Sequence, residues 1–516
     1  MQQKYCNLNI CKSKRAWLPL IIFWVFTPSA RPSQIQLPTN QEIYTESWES
    51  LSKHEQAPEW FADAKFGIYF HWGPYSVPAK GSEWYPHYMY YNDHHLRAHH
   101  EKTYGDPSIF GYHDFIPMFN ARNFDPKDWV ELFHRAGAKF AGPVAQHHDG
   151  FAMWASKLNP WNVRDLGPKR DITGELANEL KSRGMKLITT FHHARNLQRN
   201  ADNPDEWEGW NSHFPYHPDF ATSSTDPELS KLYGNIPADE FYMYWMEQVK
   251  EVIDNYSPDI IWFDSWLNLI PEKYRLKLTA YYLNNAEKRQ QEVVIGYKQT
   301  DYPKSVGVLD IEQGGKRDLS DTVWLTDVTL SNRSWSYVNG QTYKSAKLVL
   351  RNMIDVWSKN GIVLLNVSPR ADGTIPLSQR EVLHQIGDWL QDFGEAVYNT
   401  RPHSKYGEGP AKIDHGRHGG QSATVEYTAD DIRFTVSKDY KTMYLFFLGK
   451  PKIGKRLNLR RTLAVHHYPT PSPIERITIL GSEVEVLWEL TSKDFFITIP
   501  DAVMNELATV FKFELK

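Results

Sequence analysis

Eight short apolar runs alternate with longer segments of helical period, and this alternation constrains the fold more than any other feature of the chain. Each run is almost uniformly apolar, as in a strand that is buried on both faces of a parallel sheet. The predicted strands are 64–72, 140–148, 186–194, 259–266, 293–298, 306–312, 322–330 and 361–369. The predicted helices are 126–138, 172–184, 238–256, 272–290 and 341–359. The pattern predicts an α/β fold, a TIM-like (β/α)8 barrel.

The predicted barrel is irregular. The segments between its fifth, sixth and seventh strands are too short for full helices, and residues 73–125 and 195–237 form long loops rich in aromatic side chains. After about residue 400 the chain changes to short alternating strands, which are typical of an all-β sandwich. We therefore predict a catalytic barrel over residues 50–400 and a C-terminal β-sandwich over 401–516. The sandwich carries no evident chemical constellation, so we expect it to pack against the barrel.

The pattern of basic and apolar residues at the N-terminus predicts a secretory signal peptide over residues 1–30. A basic segment (12–15) precedes an 11-residue apolar stretch (16–26), which is too short to span a bilayer comfortably. Residues 31–49 follow as a polar linker. We expect a secreted or periplasmic protein with no membrane span after cleavage. The alternative is a signal anchor that stays attached.

Composition excludes several classes of protein. A formal net charge of −4 argues against a nucleic-acid partner, because nucleic-acid-binding domains are usually basic. The two cysteines, Cys6 and Cys11, lie in the predicted signal peptide and form no zinc-binding pattern. The 19 Trp residues exceed what a soluble core needs, and indole rings stack on the apolar faces of sugar rings. We therefore favour a carbohydrate ligand and predict no cofactor.

Polar side chains end five of the predicted strands. In barrels of this kind, catalytic residues lie at the C-terminal ends of the strands. The strand-end residues are His71, His147, His148, His192, His193, Asp264, Asp310 and Glu312. One polar strand end is ordinary capping, but five such ends indicate an active site at this face of the barrel.

Asp264 and Glu312 are the candidate catalytic carboxylates. Side chains alternate along a strand, so both can face the barrel mouth, and Trp262 shares the face of Asp264. Two carboxylates with aromatic walls suit glycoside hydrolysis, in which one is a nucleophile or base and the other is an acid of raised pKa. The alternative roles are a helix cap for Asp264 and a surface or loop-orienting charge for Glu312. Asp310 and Asp327 are rivals for the acid.

The strand-end histidines admit two interpretations. Neutral imidazoles donate and accept hydrogen bonds, which suits the hydroxyl groups of a sugar. They could instead bind a metal, but HExxH and HxH spacings are missing from the sequence. Adjacent strand residues also point to opposite faces, so each histidine pair offers one inward ligand. For His71, His147 and His148 we favour sugar binding, and we predict no metal.

Five motifs of the chain resemble the signature of glycoside hydrolase family 29, the α-L-fucosidases. They are WFADAKFGIYFHWG at 60–73, GSEWY at 81–85, HHDGF at 147–151, WFD at 262–264 and SWSY at 334–337. The motifs occur in the family's order, which makes the combination specific. The resemblance covers residues 45–400 and implies a barrel that is followed by a β-module.

The resemblance implies a retaining, exo-acting α-L-fucosidase that forms a covalent fucosyl–enzyme ester on fucosylated oligosaccharides, glycoconjugates or polysaccharides. Asp264 matches the family's nucleophile, and Glu312 is the best match for its acid/base. The matching substrate-binding residues are His71, Glu83, Trp84, His147, His148, His193, Trp262 and Trp335. His193 is chosen where many members carry tyrosine, and Lys298 matches a basic residue after the fifth strand.

Three other functions stay open on the residues alone. Another sugar hydrolase on the same barrel, such as an α-galactosidase-like enzyme, would share the carboxylates. A non-catalytic carbohydrate-binding protein could use the same aromatic residues without paired inward carboxylates. A metallohydrolase would use the histidines as metal ligands.

Overall fold

The structure is a computed structural model that describes residues 43–199, 201, 212–459, 474–482, 484–491 and 493–516. The predicted signal peptide and linker residues 31–42 lie outside the described residues. Residues 44–516 form one compact unit, which includes both the barrel and the C-terminal sheets.

Eight parallel strands close into a barrel, as the apolar runs predict. They are β1 (Phe66–Phe70), β2 (Phe140–Gln146), β3 (Lys186–Phe191), β4 (Ile260–Phe263), β5 (Val294–Lys298), β6 (Val308–Asp310), β8 (Trp324–Thr329) and β9 (Gly361–Val367). Each strand pairs with the next one, and β9 pairs with β1 to close the barrel. A two-residue strand, β7 (Gly314–Gly315), lies outside the barrel. The predicted fold class is confirmed.

Helices occur at the five predicted positions, but the segments 73–125 and 195–237, which the sequence predicts as loops, also contain short helices. The α-helices are α1 (Trp48–Leu51), α2 (Glu59–Ala64), α3 (Tyr85–Tyr88), α4 (His95–Thr103), α5 (Pro126–Arg135), α6 (Ile172–Ser182), α7 (Pro227–Tyr233), α8 (Ala238–Tyr256), α9 (Glu272–Lys288), α10 (Ala346–Ser358) and α11 (Leu377–Phe393). α10 begins later than predicted, because the Ser345 hydroxyl accepts a hydrogen bond from the Leu348 N–H and caps the helix there. The chain from β5 to β8 is fully described and contains no α-helix, which is the predicted irregularity. Among the described helices, none is long and apolar enough to cross a lipid bilayer.

Apolar side chains fill the barrel interior beneath the strand ends. Tyr69, Trp262 and Leu364 belong to one buried cluster there. Trp262 pairs with Gly296 of the neighbouring strand. A Cβ atom at Gly296 would lie 2.3 Å from Cδ1 of the indole, so glycine is required for this ring to pack against the backbone. This close approach fixes Trp262 directly below the mouth of the barrel.

The C-terminal region forms two antiparallel sheets. Its strands are β10 (Thr400–Glu408), β11 (Gln421–Ser422), β12 (Ile432–Ser437), β13 (Thr442–Phe447), β14 (Arg456–Asn458), β15 (Ile474–Ile479), β16 (Leu487–Leu490), β17 (Phe495–Thr498) and β18 (Thr509–Leu515). One sheet has the order β10-β12-β13-β18-β15, and the other has the order β14-β17-β16. Phe434 and Phe511 of the first sheet share a buried core with Phe495 of the second. This arrangement is the predicted β-sandwich.

Residues 411–424, which we call the return segment, lead from the C-terminal sheet back to the barrel. Within this segment, β11 pairs antiparallel with β7. The buried side chain of Gln421 donates to Asp355 Oδ2 at 2.5 Å and accepts from Lys359 Nζ at 2.9 Å. Asp355 also accepts from Arg433 Nε of β12 at 2.6 Å. A satisfied buried network of this kind holds its members rigidly, so the return segment is anchored at the rim of the barrel.

Candidate active site

A cavity of about 1120 Å³ opens where the C-terminal ends of the barrel strands meet. Its inner part is lined by His71, Glu83, Trp84, His147, His148, His192, Asp264, Lys298, Glu312, Asp327 and Trp335. Ligand pockets commonly measure about 300–1,000 Å³, so this cavity has room for more than one sugar ring. The position at the carboxyl ends of the strands is the one that barrel enzymes use for their chemistry.

Asp264 directly follows β4 and lies at the centre of the cavity floor. Its Oδ1 atom is 3.1 Å from Lys298 Nζ, and its Oδ2 atom is 3.3 Å from His192 Nδ1 and 3.4 Å from His148 Nε2. Burial raises the pKa of this carboxyl, but the charge of Lys298 and the contact with His192 outweigh burial and hold the pKa well below its usual range. Asp264 is therefore ionised at neutral pH, as a nucleophile must be.

Glu312 and Asp264 share the ammonium group of Lys298. Lys298 Nζ lies 2.7 Å from Glu312 Oε2. The two carboxylate oxygens therefore lie no farther apart than about 5.8 Å, the sum of the 3.1 and 2.7 Å distances to the shared Nζ. Lys298 also lies 3.2 Å from Asp327 Oδ2. Burial lowers the pKa of Lys298, but the surrounding carboxylates, Asp327 first, outweigh burial and raise it well above its ordinary value.

Three buried histidines surround the floor of the cavity in neutral form. Burial is the main cause that lowers the pKa of His71, His147 and His148 well below the usual range of histidine. His71 Nδ1 donates to Asn366 Oδ1 at 2.8 Å, which leaves the lone pair of Nε2 free to accept. Within the described residues, the buried Nδ1 of His147 has no hydrogen-bond partner. The cavity therefore offers both donors and acceptors to a polar ligand.

Glu83 connects two loops that form the aromatic wall. Its Oε2 atom accepts from the backbone N–H of Trp335 at 3.1 Å and from Ser334 Oγ at 3.2 Å. Burial raises the pKa of Glu83, and these hydrogen bonds oppose the rise. The ring of Trp335 lies 5.2 Å from that of His71, between ring centroids. On the opposite side, Trp84 lies 5.3 Å from His148. Glu83 therefore positions an indole against the cavity floor.

Comparison with known proteins agrees with this geometry. A family model described as "Alpha-L-fucosidase" matches residues 33–395. The chain belongs to the α-L-fucosidase family. The resemblance seen in the motifs is thereby confirmed.

Relatives match the α-L-fucosidase chain over nearly its whole length. The tissue α-L-fucosidase of Homo sapiens is 27% identical over 521 residues, which is 98% of this chain and 98% of the relative. That of Macaca fascicularis is 30% identical over 518 residues, which is 97% of this chain and 96% of the relative. The α-fucosidase of Thermotoga maritima, solved in complex with fucose, is 27% identical with a TM-score of 0.70 and covers 91% of this chain and 100% of its own. It has also been solved with a mechanism-based inhibitor.

The structure corrects two of the substrate-binding residues that the family motifs suggest, His193 and Trp262. His193 does not line the cavity; its ring packs on the outer side of the barrel, 6.0 Å from Trp245 and 5.9 Å from Phe191, between centroids. β3 ends at Phe191, which packs outward against Phe263, so the next residue, His192, points inward. His192 is therefore the imidazole that faces the cavity.

Trp262 lies below the cavity and does not line it. It is fully buried, and its Nε1 atom donates to Asp310 Oδ2 at 2.9 Å. Lys298 Nζ lies 4.9 Å from the centre of its ring. Trp262 therefore supports Lys298 from beneath, through a cation–π contact.

The two rival acids differ from Glu312 in their access to the cavity. Asp310 lies in the barrel interior, where burial and the neighbouring Asp327 raise its pKa well above the usual range, and it does not line the cavity. Asp327 borders the cavity but is 1% exposed, and it accepts from Tyr69 OH at 3.0 Å. The Glu312 side chain is 20% exposed, so of the three carboxylates it has the most open access to a ligand.

Sequence reasoning missed part of the cavity wall. Arg195 lines it, with its guanidinium 4.5 Å from the centre of the Trp84 ring. His415, Arg417 and His418 of the return segment line it as well. The C-terminal region therefore does more than pack against the barrel, contrary to expectation. In the sequence, the cluster of His, Arg and Gly residues at 415–420 is the feature that could have indicated this contribution to the cavity wall.

Two groups of side chains in the cavity have the spacing of metal ligands. One nitrogen each of His71, His147 and His192 lie within 4.8 Å of one another, and so do ligand atoms of His148, His192 and Asp264. Imidazole groups in such a cluster can bind a transition metal ion. The same atoms also suit a polyhydroxylated ligand.

Proposed function

We propose that this protein is a retaining, exo-acting α-L-fucosidase, which releases terminal L-fucose from fucosylated glycans through a covalent fucosyl–enzyme intermediate. The observation that carries the proposal is the pairing of Asp264 and Glu312 through Lys298. Retaining glycosidases place their two carboxyl groups about 5–5.5 Å apart, whereas inverting enzymes need about 6.5–9.5 Å for a water molecule. An oxygen–oxygen separation of at most about 5.8 Å supports retention.

In the first step, Asp264 attacks the anomeric carbon and Glu312 protonates the glycosidic oxygen. A carbon–oxygen bond forms to Asp264 while the bond to the leaving group breaks, and the proton of Glu312 leaves with the aglycone. Asp264 suits the nucleophile because its pKa is held low. Glu312 suits the acid/base because it is open to the cavity, where a leaving group and later a water molecule can reach it.

In the second step, water hydrolyses the ester. Glu312, now a carboxylate, takes a proton from water, and the hydroxide adds to the anomeric carbon as Asp264 departs. Lys298 contacts both carboxylates, so it stabilises the negative charge that passes from one to the other through the cycle.

The deep end of the cavity suits the hydroxyl groups of a single terminal sugar. His71, His147 and His192 close the floor and are nearly inaccessible to solvent, so a continuing glycan chain has no exit there. The lone pair of His71 Nε2 and the unpartnered Nδ1 of His147 can accept from and donate to sugar hydroxyls. Trp335 provides an apolar wall, as expected for a deoxy sugar with a methyl group.

Trapping with 2-deoxy-2-fluoro-α-L-fucosyl fluoride tests the proposal. The fluorine slows both steps, so we expect a fluorofucosyl adduct on the peptide that contains Asp264 in a proteolytic digest analysed by mass spectrometry. Asp264→Gly should give no adduct and almost no release of fucose from an aryl α-L-fucoside. Asp254→Asn is the matched control, since that carboxylate lies in α8 outside the cavity. An adduct on another residue, or cleavage of an aryl α-D-galactoside in preference to the fucoside, would overturn the proposal.

We also propose that residues 1–30 direct export and are removed. The basic segment and the short apolar stretch support this role. N-terminal sequencing of the protein from culture medium or periplasm should begin near residue 31. An intact N-terminus in a membrane fraction would favour the signal anchor.

A further inference from the structure

The return segment places His418, a residue of the C-terminal region, next to Glu312, the proposed acid/base. His418 Nε2 lies 3.5 Å from Glu312 Oε1. The segment is held in place at β11, through pairing with β7 and through Gln421 in the buried Asp355 network. Glu312 meets the glycosidic oxygen of the leaving group in the proposed mechanism. The leaving group therefore lies on the side of the cavity where His418 and Arg417 lie.

The outer part of the cavity carries two arginines that form no ion pair with a described carboxylate. Arg333 and Arg417 both line the cavity and are exposed. Among the described residues, no carboxylate lies within 4.0 Å of either guanidinium group. Glu426 also lines the cavity, but it is exposed and acts on Arg351, which lies outside it. Arg333, Arg417 and Glu426 together leave this part of the cavity wall with one net positive charge.

A buried lysine adds to this charge. Lys344 lines the same cavity and is 8% exposed. Its Nζ atom donates to the carbonyl oxygen of Thr329 at 2.6 Å, and within the described part of the chain no carboxylate pairs with it. Burial lowers the pKa of Lys344 to about 8. A buried ammonium group without a counter-ion is costly, so an anion in the cavity would stabilise it.

We propose that the side of the cavity beyond Glu312 is a leaving-group subsite for an anionic saccharide, in which Arg333 and Arg417 bind a sulfate or carboxylate group on the sugar next to fucose. The proposal rests on the proposed α-L-fucosidase function and names its substrate class. Guanidinium groups bind planar carboxylates and tetrahedral oxyanions through paired N–H donors. The cavity volume of about 1120 Å³ accommodates this second sugar.

The test is a panel of α-L-fucosyl disaccharides in which each linkage is presented with galactose, sulfated galactose or galacturonic acid as the leaving sugar. For the linkage that is cleaved best, we expect kcat/KM to be about tenfold higher for an anionic leaving sugar than for galactose. Added salt should reduce this ratio, because the guanidinium groups are exposed to solvent. A ratio near one in the wild-type protein would overturn the proposal. A preference for one anion alone would support it and identify the anion.

Variants distinguish specific binding by Arg333 and Arg417 from a general effect of positive charge on the protein surface. In Arg333→Ala/Arg417→Ala the anionic-to-neutral ratio should fall to about one, and in Arg333→Lys/Arg417→Lys part of it should return. The matched control is Lys412→Ala, because Lys412 is exposed on the same segment but does not line the cavity. A double alanine variant that keeps the ratio, or a Lys412→Ala variant that loses it equally, would overturn the proposal. If the protein still cleaves a neutral aryl α-L-fucoside when one of these results is obtained, only the subsite proposal is wrong. If it cleaves no fucoside, the proposed α-L-fucosidase function is wrong as well.

Discussion

Lys298 donates from Nζ to Glu312 Oε2 at 2.7 Å, across the mouth of the barrel. The same ammonium group lies 3.1 Å from Asp264 Oδ1 and 3.2 Å from Asp327 Oδ2. One buried ammonium group therefore contacts three carboxylates. The carboxylate pair and the lysine form a single electrostatic unit.

Replacement of Lys298 by methionine should shift the pH profile of the enzyme. Without the ammonium group, burial raises the pKa of Asp264 and the contacts with His192 and His148 remain to oppose the rise. Because the proposed nucleophile Asp264 must be ionised to attack, the acid limb of kcat/KM should move to higher pH, and the maximum should fall by about 10²–10³-fold. The measurement is the pH–rate profile with an aryl α-L-fucoside. Lys277→Met, an exposed position on α9, is the control, and an unmoved acid limb in Lys298→Met would refute this account.

Glu312→Ala should reduce activity most on substrates whose leaving group must be protonated as it departs. With an alkyl or glycosyl leaving group, we expect kcat/KM to fall by about 10²–10⁴-fold, and much less with an acidic nitrophenol. Azide should restore turnover and yield fucosyl azide, because it enters the space left by the carboxylate. Asp310→Asn is the comparison, since that buried side chain contacts Trp262 and has no access to the leaving group. Wild-type rates in Glu312→Ala would transfer the role to Asp327.

The adjacent histidines after β3 should respond to mutation in different ways. His192→Ala removes an imidazole that contacts Asp264 and lines the cavity, so kcat/KM should fall by roughly ten- to a hundredfold. His193→Ala removes packing against Trp245 on the outer side of the barrel, so it should lower Tm and leave KM unchanged. Steady-state kinetics and thermal unfolding of both variants check this. A larger kinetic effect at His193 than at His192 would contradict the geometry.

The sequence predicted those parts of the site that depend on local pattern. Asp264, His71 and His147 sit at the ends of buried strands, so hydrophobic periodicity alone locates them. The choice between His192 and His193 depends on where β3 ends, to within one residue, and periodicity does not have that precision. The wall formed by Arg417 and His418 depends on pairing between β7 and β11, whose partners are more than a hundred residues apart. No local pattern encodes that contact.

Glu312 illustrates the same limit within the barrel. β6 is three residues long and ends at Asp310, so strand alternation does not reach Glu312. Its position depends on the ion pair with Lys298 and on the neighbouring return segment. The family resemblance identified the residue, whereas the structure supplies the physical reason for its orientation.

Zinc should inhibit the enzyme, and chelation should leave it active. His71, His147 and His192 present nitrogen atoms within 4.8 Å of one another, and the hydrogen bond from His71 Nδ1 to Asn366 directs a lone pair of Nε2 to the cavity. A zinc ion bound there would occupy the position of sugar hydroxyls, so inhibition should be competitive with an aryl α-L-fucoside. His147→Asn should raise the inhibition constant for zinc, whereas His95→Asn, an exposed position outside the cavity, should not. Loss of activity on dialysis against EDTA, with recovery on adding zinc, would instead identify a metallohydrolase.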